Sequence, residues 1–173
     1  MPIYALGDSV PNIHPDAYIH PDAVIIGAVT IGAHSSVWPC AVLRGDDGSI
    51  IVGERTSIQD GCVIHTTSHD FTRIGSDCTI GHIVHLEGCT IQDGALVGNA
   101  SVVLHRVVVS TGSIVAANSV LLNDSFVPPG AIAVGAPAVM KEGRAKPELI
   151  AMSAAIYVKK AKVFRSHLRR IDI

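Results

Sequence analysis

The sequence predicts a mainly β protein: a parallel solenoid of six-residue units with one α-helix at its C-terminal end. Three observations predict it. First, a small residue, a variable residue and an aliphatic residue recur, usually six positions apart. Ala95-Leu96-Val97, Ser101-Val102-Val103, Ser113-Ile114-Val115 and Ser119-Val120-Leu121 are the clearest units, and a short internal period marks stacked repeats. Second, bend-forming residues stand between the units, among them Gly27, Gly32, Gly53, Gly61, Gly75, Gly81, Gly94, Gly98 and Gly112. Third, the six-residue period stops after Gly143 and a stripe at helical spacing replaces it.

The elements follow in order. Ala17-Tyr18-Ile19 and Ala23-Val24-Ile25 are the first clear units, continued by Val29-Thr30-Ile31, Ser35-Ser36-Val37 and Ala41-Val42-Leu43. Asp47-Gly48-Ser49 reads as a three-residue insertion. Cys62-Val63-Ile64 resumes the count, and Ser68-His69-Asp70-Phe71 is a short loop. After Cys78-Thr79-Ile80, the unit Val84-His85-Leu86-Glu87-Gly88 is short by one. Cys89-Thr90-Ile91 then leads the series on to Val127 and the exit Pro128-Pro129-Gly130. Three units close one triangular turn, and no turn buries its apolar face without its neighbours, so the count gives about six turns. The helix starts at Pro147, carries Glu148 early and Lys159, Lys160, Lys162, Arg165, Arg169 and Arg170 late, as its dipole favours. Its apolar stripe is Leu149, Ile150, Ala154, Tyr157, Val158, Ala161 and Phe164. The organisation is a solenoid over 1–140 and a packed helix over 141–173, a single domain overall.

Composition narrows the function. Of 173 residues, 48% are hydrophobic and 16% charged, which describes a folded chain. Aromatics are 4%, so the core is aliphatic. A formal net charge of -2 argues against a nucleic-acid footprint. There is no apolar run long enough to span a bilayer, and Met1-Pro2-Ile3-Tyr4 lacks the basic start and apolar core of a signal peptide. The expected location is cytoplasmic. Cys62, Cys78 and Cys89 take the small-residue slot, and these read as buried thiols filling core space. With Cys40 they make no close CxxC spacing.

The repeat also maps a site. Rotating the units over three faces puts Leu43, Ile64 and Leu86 on one face. The residues after them, Arg44, His65 and Glu87, stack outward at roughly 4.8 Å, a distance at which a metal fits between His65 and Glu87. On a second face, two positions past Ile58, Ile80 and Val97, come Asp60, His82 and Asn99, with Gln59 beside Asp60. Polar residues at corners are usually turn formers, and a lone outward His is usually plain surface. Arg44, Asp46, Gln59, Asp60, His65, His82 and Glu87 together are harder to dismiss, because two His and one Glu with an open fourth position is an established zinc arrangement. The two columns meet only across a subunit boundary. Three copies about a threefold axis close such a contact, so the expectation is a homotrimer with sites between subunits.

The motifs Arg44-Gly45-Asp46, Gln59-Asp60-Gly61-Cys62-Val63-Ile64-His65, Ile80-Gly81-His82 and Gly88-Cys89-Thr90-Ile91 resemble the gamma-class carbonic anhydrases and their hexapeptide-repeat relatives. The resemblance covers essentially the whole chain, including Val134-Gly135-Ala136-Pro137-Ala138 and the helix. It implies a left-handed parallel β-helix, against the usual right-handed crossover. It also implies zinc, with iron or cobalt as alternatives, held by histidines from two subunits to hydrate carbon dioxide to bicarbonate. His65 matches one ligand and His82 the one given across the interface. The third position holds Glu87, with His85 two residues earlier. Either Glu87 ligates, or His85 substitutes for it, or the site holds metal poorly. By the same resemblance Gln59 orients the substrate, Arg44 pairs with Asp60 of a neighbour, and Asp46 and Asp47 extend that network. The family's acidic loop with its proton-shuttling Glu is missing; His69 or Asp70 in the short loop is either a substitute shuttle or, as loop residues more often are, plain surface, and Tyr157 matches a tyrosine near the site. Two other functions stay open: a metal-binding or scaffold trimer without fast chemistry, and a coenzyme A-linked transferase.

Overall fold

The computed structural model describes residues 2–172. Three parallel faces run the length of a solenoid. The first carries Ile3–Tyr4, the opening of Val24–Ile31 and of Val42–Val52, then Val63–His65, His85–Glu87, Val102–Val103 and Val120–Leu121. The second carries Asn12–Ile13, the ends of those two long strands, then Thr72–Ile74, Thr90–Ile91, Val108–Val109 and Phe126–Val127. The third runs from Tyr18–Ile19 through Ser36–Val37, Ser57–Ile58, Thr79–Ile80, Leu96–Val97 and Ile114–Val115 to Ile132–Val134.

There are about seven turns, not the six counted from the repeat. The extra turn is N-terminal. Ile3 and Tyr4 pair with Ile25 and Ile26, and Asn12 and Ile13 pair with Thr30 and Ile31. An end turn is covered on one side only. Its residues are mostly exposed, so packing does not impose the small-x-aliphatic pattern there.

Elsewhere the register is that of the repeat. Leu43 pairs with Ile64, Ile64 with Leu86 and Leu86 with Val103. These anchors are fully buried, each stabilising the fold by roughly 1.5–3 kcal/mol. The insertion Asp47-Gly48-Ser49 does not leave the sheet: it lies within the continuous strand Val42–Val52. That strand and Val24–Ile31 turn the corner together. Only glycine fits at 27, because a Cβ there would lie 2.2 Å from the Gly45 carbonyl oxygen and φ is +74°.

The α-helix Pro147–His167 lies on the third face, where it contacts strands of four successive turns. It buries Ile150, Ala154 and Ala161. Leu149, placed in the stripe by its spacing, is instead 49% exposed. Trp38 is the anvil for the helix: its ring meets Phe164 at 5.0 Å, Tyr18 at 5.5 Å and Tyr157 at 5.6 Å between centroids. Its indole N–H donates to the hydroxyls of Ser36 and Ser57, so the one tryptophan is buried with its polar atom satisfied. Val139–Lys141 folds back antiparallel on Ile132–Val134 and covers that sheet's last edge. No helix among the described residues is long and apolar enough to cross a membrane.

Candidate functional site

The first face gathers one polar cluster. Strand register sets Arg44 beside His65 and His65 beside Glu87. The His65 ring lies between two carboxylates, with Nδ1 2.9 Å from Glu87 Oε1 and Nε2 3.0 Å from Asp46 Oδ1. Asp46 also accepts from the Arg44 guanidinium. The second oxygen of Glu87 lies 3.3 Å from His85 Nε2. A chain of contacts thus runs Arg44–Asp46–His65–Glu87–His85. Asp46 stands two residues past Arg44 on the same strand, so both side chains share the outward face.

Asp46 and Glu87 are both carboxylates held charged. Burial raises the Asp46 carboxyl and is the largest single influence on it. Its own backbone amide, His65 and Arg44 together outweigh burial and hold it below the ordinary carboxylate range. Burial likewise works against Glu87, and hydrogen bonds from His65 and His85 with the charges of His65 and His105 overcome it. Both are therefore ionised near neutrality.

The corner between the third face and the first holds the rest. His82 Nδ1 lies 2.9 Å from Asp60 Oδ2, both side chains about half exposed. The His82 amide donates to Asn99 Oδ1, and the next rungs stack through Ile83 N to Asp60 O and Ala100 N to His82 O. Gln59 is buried beside them. Tyr157 reaches this corner from the helix. Burial first, and the Asp60 charge second, push its phenol up.

Within one chain His82 does not join His65 and Glu87. Among the described residues no three His, Cys, Asp or Glu side chains are placed to hold a metal ion. The donor types nevertheless fit zinc: imidazole nitrogen and carboxylate oxygen, face to face at His65 and Glu87, with a half-exposed imidazole at His82. Two donors stand on one face and one on a corner, so three donors require two chains. Asp46 accepts at the far nitrogen of the ring, the position from which a carboxylate would fix the orientation of a ligating histidine.

Among the described residues no hydrogen bond joins the Ser68–Phe71 loop to the His65 ring, whose nitrogens face Glu87 and Asp46. Asp70 instead pairs with Arg106 at 2.9 Å, and Arg106 forks onto Asp124. His69 is held by Ser68. Asp47 makes no side-chain hydrogen bond among the described residues. His105, which the repeat pattern does not single out, stands over Gly88: a Cβ on Gly88 would come 2.9 Å from His105 Nδ1. That nitrogen is buried without a hydrogen bond, 3.8 Å from Asp70. The register carries the signal: Val103 pairs with Leu86, and two residues further on come His105 and Gly88.

Known proteins share this architecture. A profile of the bacterial transferase hexapeptide family (six repeats) matches residues 11–45. The carnitine operon protein CaiE of Escherichia coli K12 is 43% identical over 109 residues, 63% of this chain and 56% of CaiE. The match thus spans little more than half the length of the curated relatives. A hexapeptide transferase family protein from Anaplasma phagocytophilum has a solved structure that is 36% identical, with a TM-score of 0.90 over 94% of this chain and 98% of that one. A Bacillus cereus structure, described provisionally as an acetyltransferase, is 30% identical with a TM-score of 0.93 over 95% and 96% of the two chains.

Proposed function

This chain belongs to the hexapeptide-repeat family of left-handed parallel β-helix proteins, and from that premise we propose that it is a carbonic anhydrase-like trimer holding zinc between subunits. The observation that carries the reading is the stack Arg44–Asp46–His65–Glu87 on one face of rungs whose far corner bears His82 and Asp60. His65 and Glu87 of one subunit and His82 of the next are the proposed ligands, with His85 the substitute for Glu87. Iron and cobalt suit the same donors. Zinc held there would lower the pKa of a bound water, so that loss of its proton to solvent would supply a hydroxide nucleophile for carbon dioxide.

The chain's own groups do the rest. Asp46 holds the His65 ring in place. Gln59, whose side-chain amide makes no hydrogen bond among the described residues, orients the substrate at the corner. Arg44 is 46% exposed and engages Asp46 through one nitrogen, leaving the rest of its fork for a second carboxylate, Asp60 of the neighbour. Glu87 sets the rate. Its negative charge beside a metal would keep the bound water less acidic than three neutral imidazoles would.

The test measures zinc by emission spectroscopy and carbon dioxide hydration by stopped flow, for the parent and Glu87→His. The expected result is about one zinc per subunit and faster hydration by the variant. A metal-free parent that stays inactive with added zinc and is not rescued by Glu87→His overturns the enzyme reading and favours a scaffold trimer. A coenzyme A-linked transferase is the second reading, favoured by the transferase names of the two solved relatives. Calorimetric binding of coenzyme A by the parent, together with absent hydration, would decide for it.

A further inference from the structure

The corner between the third face and the first repeats one backbone conformation on successive turns. Cys40, Gly61, Ile83, Ala100 and Asn118 occupy it, with φ of +59°, +68°, +61°, +56° and +57°. Backbone bonds from each to the rung before stack them into a column. Glycine adopts this left-handed conformation freely and asparagine tolerates it, whereas a β-branched side chain is the least suited. Ile83 is the one β-branched residue among the nine non-glycine residues with positive φ in the described chain. The column is otherwise built from small or polar residues.

Burial within the chain does not offset this strain. Ile83 is 69% exposed, more than any other large apolar residue described except Ile171. One rung before it in the column stands Gly61, which has no side chain to cover it; a Cβ there would sit 3.7 Å from Ile83 Cγ1. A strained backbone bearing an uncovered apolar side chain, one residue from His82, points to something that covers it only on assembly.

We propose that Ile83 is the apolar anchor that seats each subunit's corner on the first face of the next subunit, and so sets His82 against the neighbour's His65–Glu87 pair. The proposal rests on the trimer reading above. The occupant is a second copy of this chain because the first face carries the matching chemistry. Val42, Val63, Val102 and Val120 stand outward in one register column with His85, Val63 being 43% and nearby Leu122 52% exposed. Charge is complementary as well: Arg44 is half exposed on that face and Asp60 half exposed on the corner. Because the two surfaces are different edges of the same rungs, a copy uses both, and the contact closes by rotation.

Ile83→Gly removes the side chain and relieves the backbone. Ile83→Asn installs the residue that Asn118 already supplies in the column. Sedimentation equilibrium reads self-association, and urea unfolding at concentrations where the protein is dissociated reads the protomer. Each variant is expected to weaken each contact about ten- to a hundredfold, while its dissociated protomer resists urea at least as well as the parent's. If the parent is trimeric and both variants associate as tightly, Ile83 is merely tolerated and this proposal falls while the trimer stands. If the parent is monomeric, the trimer reading falls and takes the anchor with it.

Discussion

Four cysteines of one chemistry behave as two kinds, because the repeat decides which way each points. Cys62, Cys78 and Cys89 fill the inward small-residue slot, and burial above all pushes their thiols up to about 12, about 11 and about 12. Cys40 stands exposed on the corner. The thiolate is the reactive species. A chromogenic disulfide reagent at neutral pH should therefore take at most one thiol per native chain and all four once the chain is denatured. Two or more fast thiols in the native protein would mean that the solenoid wall opens. The same in-or-out logic made the site legible. Counting units puts Arg44, His65 and Glu87 in one column, and register alone is enough for that; it puts His82 on another face, whereas His82 stands on the corner leading into that column's face. It does not reveal that both nitrogens of His65 face carboxylates. That depends on rotamers, which a period cannot specify.

Elements are legible where they stack and obscure where they end. The middle turns have a neighbour on both sides, so every anchor is aliphatic and most slots are small, with Ile50, Val84 and Val107 among the larger exceptions. The N-terminal turn, Ile3–Tyr4 and Asn12–Ile13, has one neighbour and little burial, and its pattern dissolves. The hairpin of Val139–Lys141 against Ile132–Val134 depends on a tertiary edge and has no periodic signature. The helix was visible from its spacing, but its docking was not. It is seated by Trp38 and Tyr18, residues from turns more than a hundred positions earlier, and the Arg165 guanidinium donates to the Ala17 carbonyl oxygen. This seam has a built-in reporter in the single tryptophan. Phe164→Ala removes the partly buried ring against Trp38 and should cost roughly 2–3 kcal/mol in urea unfolding. It should also shift Trp38 emission to the red as water reaches the indole. Lost stability with unchanged emission would place the damage within the helix and not at the seam.

For the whole molecule the decisive quantity is how many chains complete one site. One chain supplies His65 and Glu87 on a face and His82 on a corner, and the described residues bring no three such donors together. If the site is shared around a threefold axis, defects in different subunits must complement. His65→Asn keeps an amide donor toward Asp46 and Glu87 but loses the imidazole, and His82→Ala empties the corner. Each variant alone should form trimers that hold no zinc. When the two are unfolded together in equal amounts and refolded, a contact is intact only where a His82→Ala subunit offers its His65 to a His65→Asn subunit that offers its His82. Random assembly makes that ordered pair in about one quarter of contacts. Zinc should return to about a quarter of the parent's content, and each mixed trimer should carry a single repaired site. A tag on one variant separates the mixed trimers for metal analysis. Mixed trimers that form and still hold no zinc would mean that these histidines do not share a metal, and the site would have to be sought within one chain.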